Sequence, residues 1–216
     1  MSQEFLDAAT GGDVSKVKAM LADDPALARA KDENGVSAIM KATYYGKRDV
    51  VAALLESGVE LDVFEAAATG RSERLVELIE KDPSLANAYS PDGFTPLGFA
   101  VFFAQPRIVE TLLNTGADVN LPSRESMKVT PLASAAAAKQ TEIARLLIAH
   151  GANVNARAAS GHIPLHEAAG NGNVELVKLL IENGADLNAR TDDGKTPLDF
   201  AIEYKRTEVI DLLKES

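Results

Sequence analysis

The sequence predicts an all-α solenoid of about seven helix-turn-helix units with short hairpin or turn connections, some N-terminal units lacking the hairpin. Three observations predict it. Pro131, Pro164 and Pro197, each in a Thr-Pro-Leu-like string, stand 33 residues apart. A closing string of Gly-Ala, an Asp or Asn, an aliphatic residue and Asn returns in step, at residues 116–120, 151–155 and 184–188. Between these marks, Leu176, Val177, Leu179 and Leu180, or Ile143, Leu146 and Leu147, follow the three- and four-residue spacing of a helix with one buried stripe. Self-similarity at such a period marks stacked supersecondary units.

Each element has its own warrant. The first helix of a unit starts where Thr130 or Thr196 can cap it and Pro131 or Pro197 takes the first helical position, where proline's fixed φ and missing N–H cost nothing. Small pairs follow, Ala66-Ala67, Ala135-Ala136 and Ala168-Ala169, suited to closely approaching helix backbones. Gly12, Gly46, Gly70 and Gly172 then turn the chain, with Ala104 and Lys139 in the equivalent places. The second helix carries a charged outer face and ends at glycines such as Gly151 and Gly184, which enter the left-handed conformation without a Cβ penalty.

The register shifts twice. Pro96 precedes Pro131 by 35 residues, which places two extra residues in a longer loop between Leu121 and Lys128. Residues 5–62 match residues 63–120 at an offset of 58, with Asp24-Pro25 on Asp82-Pro83 and Gly58 on Gly116, as if two units were copied together. Gly58-Val59-Glu60-Leu61-Asp62 runs straight into Phe64-Glu65-Ala66-Ala67-Ala68, so the third unit lacks a hairpin. One array over 1–216 is expected, with units at about 4–33, 34–62, 63–92, 93–127, 128–160, 161–193 and 194–216. Such a stack is held by its neighbours, and its ends should fray first.

The period, the Ile163-Pro164-Leu165-His166-Glu167-Ala168 string and the Gly-Ala-Asp-Val-Asn turns resemble the ankyrin repeat family. The resemblance implies a concave surface made of hairpin tips and first helices, and a role in binding another protein there. The positions implied as partner-binding are Tyr44, Tyr45, Phe94, Phe102, Phe103, Met127, Val129, His162, Lys195 and Tyr204. Six of the eleven Phe and Tyr residues fall among them, which implies an aromatic patch centred on the second and fourth units. Two other readings stay open: the rings close the gap over the third unit as internal packing, or they join two copies of the chain. A monomer is expected, with a homodimer as the alternative.

Charge narrows the partners. A net charge of −10 opposes phosphate backbones and anionic lipid, so neither nucleic acid nor membrane is expected, and a basic or mixed apolar protein is favoured. No cysteine occurs, which removes thiolate metal sites and cysteine nucleophiles. The N-terminus reads as no signal peptide, and no apolar run reaches the roughly 18 residues of a membrane span; a cytoplasmic address is expected, or nuclear in a eukaryote.

Catalysis finds no constellation, so no enzyme, cofactor, metal or catalytic residue is expected. His150, His162 and His166 have no ligand spacing. The resemblance gives His166 a hydrogen bond between hairpins, and His150 stands at the carbonyl end of a helix. Asp23-Asp24 and Asp192-Asp193 lie at turns rather than beside a cleft. No phosphate cradle or serine elbow is present. The alternative to a simple adaptor is a regulatory or sequestering subunit, or a substrate of an asparaginyl hydroxylase. Asn120, Asn155 and Asn188 resemble the hairpin asparagines modified in relatives, although turn geometry accounts for them equally.

Overall fold

The computed structural model describes residues 1–215, in seven consecutive helix pairs. The first three are α1 (Ser2–Gly11) with α2 (Val14–Asp23), α3 (Ala38–Tyr44) with α4 (Arg48–Glu56), and α5 (Val63–Thr69) with α6 (Ser72–Lys81). The next two are α7 (Pro96–Phe102) with α8 (Pro106–Asn114), and α9 (Pro131–Ala137) with α10 (Thr141–Ala149). α11 (Pro164–Asn171) with α12 (Val174–Glu182), then α13 (Pro197–Glu203) with α14 (Thr207–Glu215), complete the series. The copied N-terminal block repeats a further detail: Pro25–Arg29 and Pro83–Asn87 are 3-10 turns, each opened by an aspartate, Asp24 or Asp82, that accepts from the backbone two residues on.

Capping follows the sequence pattern. Thr95, Thr130 and Thr196 accept from the backbone N–H three residues later, with proline behind each. Ser37 does the same without a proline. In the hairpin-less third unit Asp62 caps α5, and Glu65 returns a bond to the Asp62 N–H in a reciprocal capping box. The expected tight turn between paired helices is left-handed at Gly12, Gly46, Gly70 and Gly172 and, despite their Cβ, at Ala104, Lys139 and Lys205.

Odd-numbered helices stack in sequence, α1 on α3 through to α11 on α13, and the alanine pairs are fully buried between them. Even-numbered helices form a second row that packs α2 on α4 and then α6 through α14. One seam departs: α4 and α6 stand apart, with an open cleft bounded by Leu55, Glu60 and Arg74 between them. The cause is the shortened connection into α5, which omits the residues that elsewhere make a hairpin.

The hairpins are turns rather than strands. Among the described residues the only bridge is Lys31 to Ser37. Each turn closes by a pair of backbone bonds, such as Asp32 N–H to Val36 O at 3.0 Å and Gly35 N–H to Asp32 O at 3.0 Å. From the fourth unit on, the tips are also joined: Arg124 donates to Gly93 O at 2.8 Å, Ala159 to Met127 O at 2.9 Å and Asp192 to Ser160 O at 3.1 Å. The longer fifth-unit loop keeps this register by placing Lys128 in the left-handed region, φ 48°, where the other tips use glycine.

Candidate protein-binding face

Tyr44 and Tyr45 end α3, while Phe102 and Phe103 end α7, so two helices separated by α5 present four rings at the same level. Three of them, Tyr44, Phe102 and Phe103, meet across the short unit. Tyr44 lies 5.4 Å from Phe103 and 6.2 Å from Phe102, and Phe102 stands edge-on to Phe103 at 5.0 Å. Phe99 forms the floor, 6.3 Å from Tyr44 and from Phe103 and 5.4 Å from Phe94. Tyr44 Oη donates to Asp92 Oδ2 at 2.7 Å, tying the second unit to the hairpin of the fourth. Burial, then the adjacent Asp92 carboxylate, pushes the Tyr44 phenol pKa well up, so the hydroxyl stays protonated as donor.

Exposure divides the expected patch. Tyr45 is 63% and Phe102 54% exposed, Tyr44 is at the margin with 36%, and Phe94 and Phe103 are half-buried against the core. The rings expected in the patch thus differ in exposure. Phe103 and Phe94 pack against the core, while Tyr45 and Phe102 face outward.

The remaining positions lie farther along the array. Met127 is exposed at the fifth tip, and Val129 is half-buried where its N–H bonds Ser123 Oγ at 3.1 Å. Exposed Ala137 and Ala138 follow on α9, so the first-helix face is smooth there. A second ring group sits at the C-terminal end: His162 is 5.6 Å from His166 and 5.1 Å from Phe200, with Tyr204 6.4 Å beyond Phe200. Lys195 bonds Glu203 at 2.7 Å, and that carboxylate holds the ammonium pKa above its ordinary value. The ring-bearing positions therefore fall in two groups, with Met127 and Val129 between them along the array.

A family model of ankyrin repeats, in three copies, matches residues 63–158 and 132–216. The chain belongs to the ankyrin repeat family. Among relatives, the putative ankyrin repeat protein L371 of Acanthamoeba polyphaga mimivirus is 30% identical over 145 residues, 61% of this chain and 19% of its own length. Ankyrin repeat and SAM domain-containing protein 6 of Rattus norvegicus is 32% identical over 102 residues, 47% of this chain and 11% of its own. Serine/threonine-protein kinase VIK of Arabidopsis thaliana is 41% identical over 75 residues, 35% of this chain and 17% of its own. The chain thus spans less than a fifth of each of these relatives, and the activity in the kinase's name is that protein's. Ankyrin repeats are generally protein–protein interaction modules and typically non-catalytic.

Ankyrin units in this chain are stapled by side chains as well as by packing. Asn120 donates to Gly151 O at 3.2 Å and accepts from Asn153 N–H at 2.8 Å; Asn155 makes the same pair with Gly184 O and Asp186 N–H, at 2.9 and 2.8 Å. Asn87 does so one unit earlier. Asn188 has no such clamp among the described residues. His166 is fully buried: its Nδ1 accepts from Ile163 N–H at 3.1 Å, which leaves Nε2–H to donate to Lys195 O at 3.2 Å in the next hairpin. Burial lowers its pKa, and this neutral tautomer is the one the two bonds require. His150 Nδ1 lies 2.9 Å from Leu146 O at its helix end. No group of three or more His, Cys, Asp or Glu residues that could hold a metal occurs among the described residues, and no helix is long and apolar enough to cross a membrane.

Two features were outside the sequence-based set. Phe200 links the C-terminal rings, and Glu65 is a buried carboxylate at the seam of the third unit. Glu65 carried one signal, the Asp62-x-x-Glu65 spacing of a capping box ahead of Ala66-Ala67-Ala68.

Proposed function

We propose that this chain is a non-catalytic module that holds another protein against the face formed by its hairpin tips and first helices. The supporting observation is the pair Tyr45 and Phe102, more than half exposed, with Phe102 braced by Tyr44 and Phe103 over the buried Phe99. Rigid exposed aromatics bury large area with few rotors to freeze, the property of binding hot spots. Met127, His162, Lys195 and Tyr204 extend the contact toward the C-terminus, while Val129, Phe94 and Phe103 support it from beneath. The partner is basic or mixed apolar, since the chain carries a net charge of −10 and its tips bear Glu33, Asp92, Glu125 and Asp192. The chain acts as a monomer in a cytoplasmic or nuclear setting, without cofactor, metal or nucleic acid.

Affinity capture from the native source tests this, using the wild-type chain and a Tyr45→Ala, Phe102→Ala variant whose melting temperature is close to wild type. A partner retained by the first and lost by the second supports the reading. An unchanged set of captured proteins overturns it. Sedimentation that shows a dimer dissolved by the same substitutions would assign the rings to self-association instead.

A further inference from the structure

The missing third hairpin leaves an opening between the hairpins of the second and fourth units, and that opening is a built recess. Its cavity volume is ≈ 80 Å³, room for roughly five water-sized spheres, which suits one extended side chain. Tyr44, Phe64 and Phe99 supply apolar walls. Asp62, Glu65 and Asp92 line it against a single cation, Lys31, so the recess carries an excess of negative charge. Glu65 is 6% exposed; burial and then the neighbouring Asp62 carboxylate raise its carboxyl pKa, offset in part by Ser37, the Asp62 N–H and Lys31.

The tip ladder is also interrupted here. In units four to six each tip receives a backbone N–H from the next, whereas the Asn34 and Gly35 carbonyls of the second unit accept no hydrogen bond among the described residues. The fourth unit cannot supply the donor, because Pro91 stands where Ala159 and Asp192 donate in later units. An incoming extended segment would find free acceptors beside an acidic, ring-lined slot. Long basic side chains match such a slot, with an aliphatic stem against rings and a charged head at carboxylates.

We propose that the gap left by the missing third hairpin takes a lysine or arginine side chain from an extended segment of the partner protein, its stem between Tyr44 and Phe64 and its head among Asp62, Glu65 and Asp92. This inference rests on the protein-binding reading above and adds the chemistry of one anchor, at a place distinct from the outward rings Tyr45 and Phe102. The slot exists only because the array is short by one hairpin at this seam.

The test uses the isotope-labelled full chain, titrated with short blocked glycine–serine peptides carrying one central lysine, norleucine or glutamate. The lysine peptide is expected to give saturable amide shifts at Gly35, Phe64 and Gly93 with a dissociation constant of about 1 mM or tighter. The norleucine and glutamate peptides bind at least about tenfold more weakly. Glu65→Gln combined with Asp92→Asn weakens the lysine peptide about tenfold, and Ile202→Ala, at an exposed position on α13, leaves it unchanged. Should the Glu65 change disturb α5, Asp92→Asn alone carries the comparison, with about a threefold loss. Equal binding of norleucine, or no saturable shift at all, overturns the anchor. Shifts gathered at Tyr45 and Phe102 instead would sink this inference and leave the broader binding role standing.

Discussion

Phe102 and Phe103 are adjacent in sequence, yet the fold assigns them different work, and truncating each to alanine should separate the two. Phe102 keeps 54% of its surface exposed, so folding buries under half of it. At about 1.5–3 kcal/mol for full burial of a large apolar side chain, its share is about 1 kcal/mol. Alanine at the last residue of α7 returns about 0.5 kcal/mol through helix propensity, leaving a net loss of about 0.5 kcal/mol. Phe103 is half-buried, lies outside that helix and contacts Phe99, Tyr44 and Phe102, so it also leaves a void beneath the ring cluster. A loss of about 2 kcal/mol is expected, below the roughly 3–5 kcal/mol of a fully buried phenylalanine. At about 2–4 °C per kcal/mol for a chain of this size, Phe103→Ala should lower the melting temperature by about 4–8 °C and Phe102→Ala by about 1–2 °C. Thermal and urea unfolding of both variants checks this. Equal losses, or a larger loss at Phe102, would refute the division into brace and contact.

Three further outcomes follow from the same geometry. Asn120→Ala removes two inter-unit hydrogen bonds at an exposed site and should cost about 1–2 kcal/mol in urea unfolding, whereas Asn188→Ala, which removes no clamp, should cost under about 0.5 kcal/mol; equal costs would contradict the stapling role. His166 has its folded pKa lowered below 6.5 by burial, so the unfolded chain binds more protons as the pH falls through that value. Its stabilising contribution is full above the unfolded pKa and is lost on acidification, and His166→Gln should flatten the fall in stability between about pH 7.5 and about pH 5 relative to wild type, with His150 and His162 common to both. Ala104 holds φ 51°, so Ala104→Gly should relieve left-handed strain of about 1 kcal/mol, partly offset by unfolded-state entropy, and raise stability by about 0.5 kcal/mol in calorimetry; a decrease would refute the strain argument.

The helices and turns were legible because each unit repeats one local solution: a hydroxyl or carboxylate cap, proline where a donor is dispensable, paired alanines and a left-handed closing turn. Ala104 and Lys139 could be placed in that turn by register alone, and the structure adds Lys205 at the same step. The candidate face was only partly legible. Register predicts which side of a first helix a residue occupies, and Tyr44, Tyr45, Phe102 and Phe103 do share one level. It cannot tell that Phe103 sinks toward Phe99 while Phe102 stands out, since both sit at the helix end where a small rotation exchanges brace and surface.

By itself the amino-acid sequence determined the period, the order of helix pairs, the caps and the absence of a hairpin before α5, because these depend on neighbours along the chain. Only the tertiary structure decided what that absence produces: a seam where α4 and α6 separate, rings from α3 and α7 that meet over α5, and Glu65 enclosed beside Tyr44 and Asp92. Those contacts join residues of different units, and their distances are set by how the short unit lets its neighbours settle, a packing balance that no local pattern encodes.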